Sequence, residues 1–197
     1  MNNFDEENDA LDIYCKLYNL KKDFFNDILK TESPDIQTKN NDIGIEVTRV
    51  LKTKHGELEF FSRLIQGKTR EQITLLANEN KQLQKFIRNK NILFHGKSSG
   101  IFYGIGDNIK PILDSIEDKL NKLQEYKKFD KNVLFLIIKF QILDKTTIER
   151  FIIQEIIKLE KNFECKYDEY IIFDYLKNIL FIIDSNKQVN EVYINLN

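Results

Sequence analysis

The chain has 197 residues, 42% hydrophobic and 31% charged, with only seven Gly and two Pro. That composition excludes collagen-like, low-complexity and disordered classes and predicts one compact domain with enough apolar surface for a core. The formal net charge of −1 excludes a blanket electrostatic argument for nucleic acid or an anionic membrane, so any such binding must come from local patches. Cys15 and Cys165 match neither a metal-ligand spacing nor a disulfide framework, and no apolar run approaches the length that crosses a bilayer. The acidic start MNNFDEEND lacks a signal-peptide pattern, and a soluble, cytoplasmic protein with no membrane partner is expected.

Apolar residues from Leu11 to Ile28 recur at intervals of three and four, predicting one or two amphipathic helices to about Leu29, with Ser33-Pro34 as the stop. Next, Asp35-Ile36-Gln37-Thr38, the turn-like Lys39-Asn40-Asn41-Asp42 and the β-branched Ile43-Gly44-Ile45-Glu46-Val47-Thr48 read as a hairpin with Asp35 on one strand and Glu46 on the other. Helical patterning resumes from Glu57 to Asn91, divided at Gly67. Ten Lys and Arg face four acids between Arg49 and Lys90, whereas the first 35 residues carry nine acids and four lysines. This asymmetry is hidden in the near-zero total. Four glycines interleaved with aromatics make Ile92 to Gly106 a loop or short irregular hairpin.

Ile109, Ile112, Leu113, Ile116, Leu120 and Leu123 fit a single helical face, giving a helix over about 109–126. The run NVLFLIIKF, Asn132 to Phe140, has the continuous apolar character of a central strand covered on both faces. Thr146-Thr147-Ile148-Glu149 reads as a capping box opening a helix to about Lys161. Tyr170–Phe173, Ile179–Ile183 and an edge segment, Glu191–Leu196, complete the strands. The expected architecture is α/β: a mixed central sheet flanked by helices, with a helical insertion at about 55–92.

The chemistry concentrates in the hairpin. Two carboxylates held together repel unless a cation neutralises them, and Mg²⁺ takes one or two carboxylates plus waters and phosphate oxygens. Asp35 and Glu46, with Asp42 in the turn between them, therefore make a coherent site for phosphodiester hydrolysis; acids beside a turn are equally often ordinary solvated residues. His55 and His95 are isolated, Cys165 lacks a partner for nucleophilic catalysis, and Lys97-Ser98-Ser99-Gly100 lacks the order of a phosphate-binding loop.

The stretch Glu32-Ser33-Pro34-Asp35, ten intervening residues and Glu46-Val47-Thr48 within IGIEVT resembles the PD-(D/E)XK nuclease-like superfamily, in particular diverged members whose second motif reads GIEVT. The helix DSIEDKLNKLQEYKKF and the strand NVLFLII also resemble the elements that follow the catalytic hairpin there, so the likeness covers about Leu11 to Thr48 and Ile109 to Phe140. The resemblance implies a restriction-endonuclease-like core and Mg²⁺- or Mn²⁺-dependent hydrolysis of DNA. It makes Asp35 and Glu46 metal ligands, with Glu32 as an accessory.

The lysine of the second motif is replaced by Thr48, so its positive charge must come from elsewhere. Lys119 and Lys122, on one side of the amphipathic helix with Tyr126, are the candidates. Arg49 and Lys52 are less apt, because Arg49 points to the sheet face opposite Thr48. Arg49, Lys52, Lys54, Lys81, Lys85 and Arg88 are candidate nucleic-acid contacts, or the wet face of helices whose aromatics form core. Without a substitute lysine, the chain is a nuclease-fold module that binds nucleic acid or a protein partner without cutting. Duplex cutting favours a homodimer, since one metal site acts on one strand at a time.

Overall fold

The computed structural model describes residues 6–28, 33–50, 65, 68–80, 83–84, 91–95, 98–102, 105–126, 129–139 and 143–194. These fall into two compact units, 1–50 with 112–197 and 51–111. In the first unit a six-stranded mixed sheet lies between helices. Its strands are β1 (Ile36–Gln37), β2 (Ile43–Arg49), β5 (Lys131–Ile138), β6 (Glu169–Asp174), β7 (Ile179–Ile183) and β8 (Val189–Tyr193), in that spatial order. β2, β5 and β6 run parallel, while β1, β7 and β8 are antiparallel to their neighbours.

The continuous apolar runs of β5, β6 and β7 are explained by burial on both faces, as covered parallel strands require. On one face Ile45, Val47, Val133, Phe135, Ile137, Ile171 and Phe173 pack with Ala10, Leu11, Ile13 and Tyr14 of helix α1 (Glu6–Tyr18). The next cross-strand row, Glu46, Leu134 and Tyr170, points the other way. There it meets helix α3 (Ile105–Leu123), through Lys119, and helix α4 (Ile153–Glu160), whose Glu160 accepts the Tyr170 hydroxyl at 2.8 Å.

Several boundaries differ from the sequence reading, among them the helix expected over about 109–126, which runs from Ile105 to Leu123, and the edge strand expected at Glu191–Leu196, which is Val189–Tyr193. α1 stops at Tyr18 because Asn19 takes φ 53°, and Leu20 N–H reaches back to the Cys15 carbonyl at 2.8 Å, a Schellman closure. A short 3₁₀ turn, Lys22–Phe24, follows in place of more helix, and Phe25 bridges to Thr38 at the edge of the sheet. The cap of the later helix is Asp144 rather than Thr146. Its carboxylate accepts both the N–H and the hydroxyl of Thr147, and a π-helical turn, Ile148–Ile152, leads into α4.

The second unit contains helix α2 (Arg70–Glu79), opened by a capping box between Thr69 and Gln72, and an antiparallel hairpin of β3 (Asn91–His95) and β4 (Ser98–Phe102). The range of the helical insertion expected at about 55–92 lies within this unit, but 51–64, 66–67, 81–82 and 85–90, including the start of the helix expected from Glu57 and its division at Gly67, lie outside the described residues.

Gly44 shows how tightly the β1–β2 hairpin is seated. A Cβ there would stand 2.7 Å from both the Phe129 ring and the Pro34 ring. Gly44→Ala therefore forces the Ser33-Pro34-Asp35 segment away from β2. Urea titration is expected to show a loss of about 1–3 kcal/mol, the usual cost of overpacking a close contact. An unchanged midpoint would mean that the segment is not seated on Gly44.

Candidate functional site

The site is assembled from the hairpin and the last turns of α3. β1 is so short that its pairing reaches only Ile36 opposite Ile45, which leaves the Val47 N–H beyond the paired stretch. Asp35 fills that role with its side chain: Oδ2 accepts Val47 N–H at 2.7 Å. The acid is thereby fixed to the backbone next to Glu46. Glu46 is 3% exposed, in the sheet between β1 and β5 and on the α3 face.

An isolated carboxylate in that position would be costly. Burial pushes the Glu46 carboxyl up and the nearby Asp35 charge adds to this, while the hydrogen bond and charge of Lys119 pull it down without reversing the rise. The Lys119 ammonium forms a part-buried ion pair with Glu46 Oε1. Burial lowers the Lys119 ammonium, but its bond to Glu46 and the charges of Glu46 and Asp35 outweigh this and leave it raised. The helix register explains why Lys119 arrives there: it borders the stripe of buried Ile112, Ile116, Leu120 and Leu123, so its stem runs along apolar surface.

Tyr126 adds a phenol 3.5 Å from Glu46 Oε1, with a hydrogen bond to the Ser33 side chain. The other Glu46 oxygen, Oε2, is buried and has no hydrogen-bond partner among the described residues. It is a buried acceptor on a carboxylate that already feels the charge of a second one, Asp35.

The sequence candidates thus separate. Asp35, Glu46 and Lys119 come together. Lys122 pairs with Asp118 at 3.3 Å and acts on Glu46 only through its charge, from an exposed position. Asp42 is exposed in the turn, bonded by Asn40 at 3.2 Å. Arg49 lies on the α1 face, 3.6 Å from Glu6, on the side of the sheet opposite Glu46. Glu32, Lys52, Lys54, Lys81, Lys85 and Arg88 lie outside the described residues. Tyr167, which donates to the Lys119 carbonyl at 3.1 Å, was missed by sequence reasoning, since nothing local marks a contact 48 residues away.

Among the described residues no group of three or more His, Cys, Asp and Glu side chains forms a metal cage. Two carboxylates and an ammonium are what converge. No family model, curated protein or solved structure matches the chain.

The ion pair has a testable pH signature. A lysine whose folded pKa is raised contributes stability that is full below its unfolded value, about 10.4, and is lost as pH rises through the folded value. With EDTA present, Lys119→Met is expected to unfold about 1–3 kcal/mol more easily than wild type at pH 7, because it leaves Glu46 buried without its cation. That deficit should shrink above pH ~10.4. A deficit that is constant into the alkaline range would show that lost packing, not the pair, was measured.

Proposed function

We propose that the chain is a Mg²⁺- or Mn²⁺-dependent nuclease that hydrolyses DNA phosphodiesters on a restriction-endonuclease-like core. The observation that carries this reading is the convergence of Asp35, Glu46 and Lys119, with the buried Glu46 Oε2 lacking a partner among the described residues. A hard divalent cation suits such a donor set, since it needs only one or two carboxylates when waters and phosphate oxygens complete its shell. Asp35 and Glu46 would hold it. When bound, the ion supplies Lewis acidity toward the phosphate and lowers the pKa of a coordinated water.

The remaining chemistry belongs to the chain. Lys119 stays protonated at Nζ, because its pKa is raised, so it is a fixed positive charge and not a general base. Such a charge stabilises the phosphate as negative charge develops, the role left open by Thr48. Tyr126 donates a long hydrogen bond to the Glu46 carboxylate, and the backbone bond from Val47 keeps Asp35 from rotating away. The arrangement of a carboxylate hairpin beside a parallel apolar strand and an amphipathic helix also supports the superfamily reading. Cutting both strands of a duplex calls for a second copy, because one metal site acts on one strand at a time.

Calorimetry with Mg²⁺ and Mn²⁺, followed by cleavage assays on duplex and single-stranded DNA, tests the centre. Saturable binding and cleavage by wild type, both lost in Asp35→Ala and in Glu46→Gln, are expected. Wild type that neither binds the ions nor cuts contradicts the proposal.

A charge swap tests the lysine. Lys119→Met should lower turnover by about 10²–10³-fold, the usual effect of removing one group that stabilises transition-state charge. Thr48 shares the sheet face of Glu46 two residues along β2, so adding Thr48→Lys to that variant should restore part of the loss. Lys119→Met with wild-type turnover would remove Lys119 from the mechanism.

A further inference from the structure

The end of α3 is gripped by a segment distant in sequence. Lys119 lies near that end, where helices fray, yet its ammonium must be held in place for the charge to act at the phosphate. Residues 165–168 supply the restraint. The Tyr167 hydroxyl donates to the carbonyl of Lys119 itself, at 3.1 Å. One turn on, the Gln124 side chain makes a reciprocal pair with the Cys165 backbone: Nε2 donates to Cys165 O and Oε1 accepts Cys165 N–H, each at 3.0 Å. Gln124 Nε2 also donates to the Leu120 carbonyl at 2.7 Å, closing the turn.

The segment is itself anchored to the sheet. Asp168 N–H donates to Asn132 O, and Asp168 Oδ2 accepts Asn132 N–H, both at 2.8 Å. The Tyr167 ring, 3% exposed, stands edge-on to Tyr170 with centroids 5.7 Å apart. Tyr170 is fixed in turn by Glu160, which also accepts from Lys187 at 2.6 Å. Restraint therefore runs from β5, β6 and α4 into the backbone of Lys119.

We propose that Tyr167 is a positioning residue, which holds the turn of α3 from which Lys119 reaches Glu46. Burial, helped by the charges of Glu46 and Asp35, pushes the Tyr167 phenol far above its ordinary range, so it remains a neutral donor throughout the working pH. The catalytic part of this inference rests on the nuclease reading; the restraint on Lys119 does not.

The test is Tyr167→Phe in the full chain, which removes one hydroxyl and keeps the ring, with Gln124→Leu as a second variant that breaks the grip at Cys165. Two readouts are needed. The first is the kcat against KM split for metal-dependent DNA cleavage; kcat is expected to fall about 10- to 100-fold at unchanged KM, as for a small misplacement of a catalytic group. The second, independent of turnover, is solvent exchange of the Lys119 ammonium by ¹⁵N NMR. Exchange should accelerate several-fold at Lys119 and remain unchanged at Lys131, whose pair with Glu169 lies on the α1 face. Unchanged Lys119 exchange in both variants, or equal acceleration at Lys131, overturns the positioning role. Accelerated exchange at Lys119 in a protein whose wild type never cuts DNA upholds the restraint and overturns the nuclease reading instead.

Discussion

A carboxylate buried in the sheet is the constraint around which the described site is arranged. Glu46 sits on β2 beside the parallel strand β5, and an ionised side chain there is tolerable only with a cation and hydrogen-bond donors close by. Lys119 meets part of that need, and the Tyr126 phenol lies beside the same oxygen. Replacing the pair with apolar residues of similar volume would commonly cost such a sheet nothing, or stabilise it. Stability alone therefore does not account for the pair.

The rest of the first unit holds the two ends of this pair. On the strand side, Pro34 and Phe129 close over Gly44 and seat the segment that carries Asp35. Val47 then takes Asp35 into the backbone ladder. On the helix side, the apolar stripe of α3 fixes its rotation, and Tyr167 and Gln124 fix its last turns. A different buried carboxylate, Glu169, is met on the other face by Tyr18 and Lys131. Its Oε1, like Glu46 Oε2, is buried without a hydrogen-bond partner among the described residues, so what marks Glu46 is the Asp35 charge beside it.

Much of this was legible in the chain where the signal is local. IGIEVT alternates as a strand with one polar position inward, NVLFLII reads as a strand covered on both faces, and the period of Ile112, Ile116 and Leu120 places Lys119 at the border of the buried stripe. What could not be read depends on contacts between distant segments or on backbone conformation. Asn19 ends α1 through a left-handed φ that the apolar period does not encode, and Phe25 leaves the expected helix to bridge to Thr38. Asp144 outcompetes Thr146 as a cap because its carboxylate reaches both groups of Thr147. Tyr167 and Cys165 meet α3 across more than 40 residues of chain, and no short window contains both partners.

We propose that Asp35 and Glu46 jointly hold a divalent ion beside Lys119. Paramagnetic broadening by Mn²⁺ in ¹⁵N-labelled protein tests it most directly, because it reports position as well as binding. Saturable loss of signal centred on Asp35, Glu46, Val47 and the Lys119 ammonium, relieved by excess Mg²⁺, is expected. Broadening scattered over surface acids, or none at these positions, would contradict it.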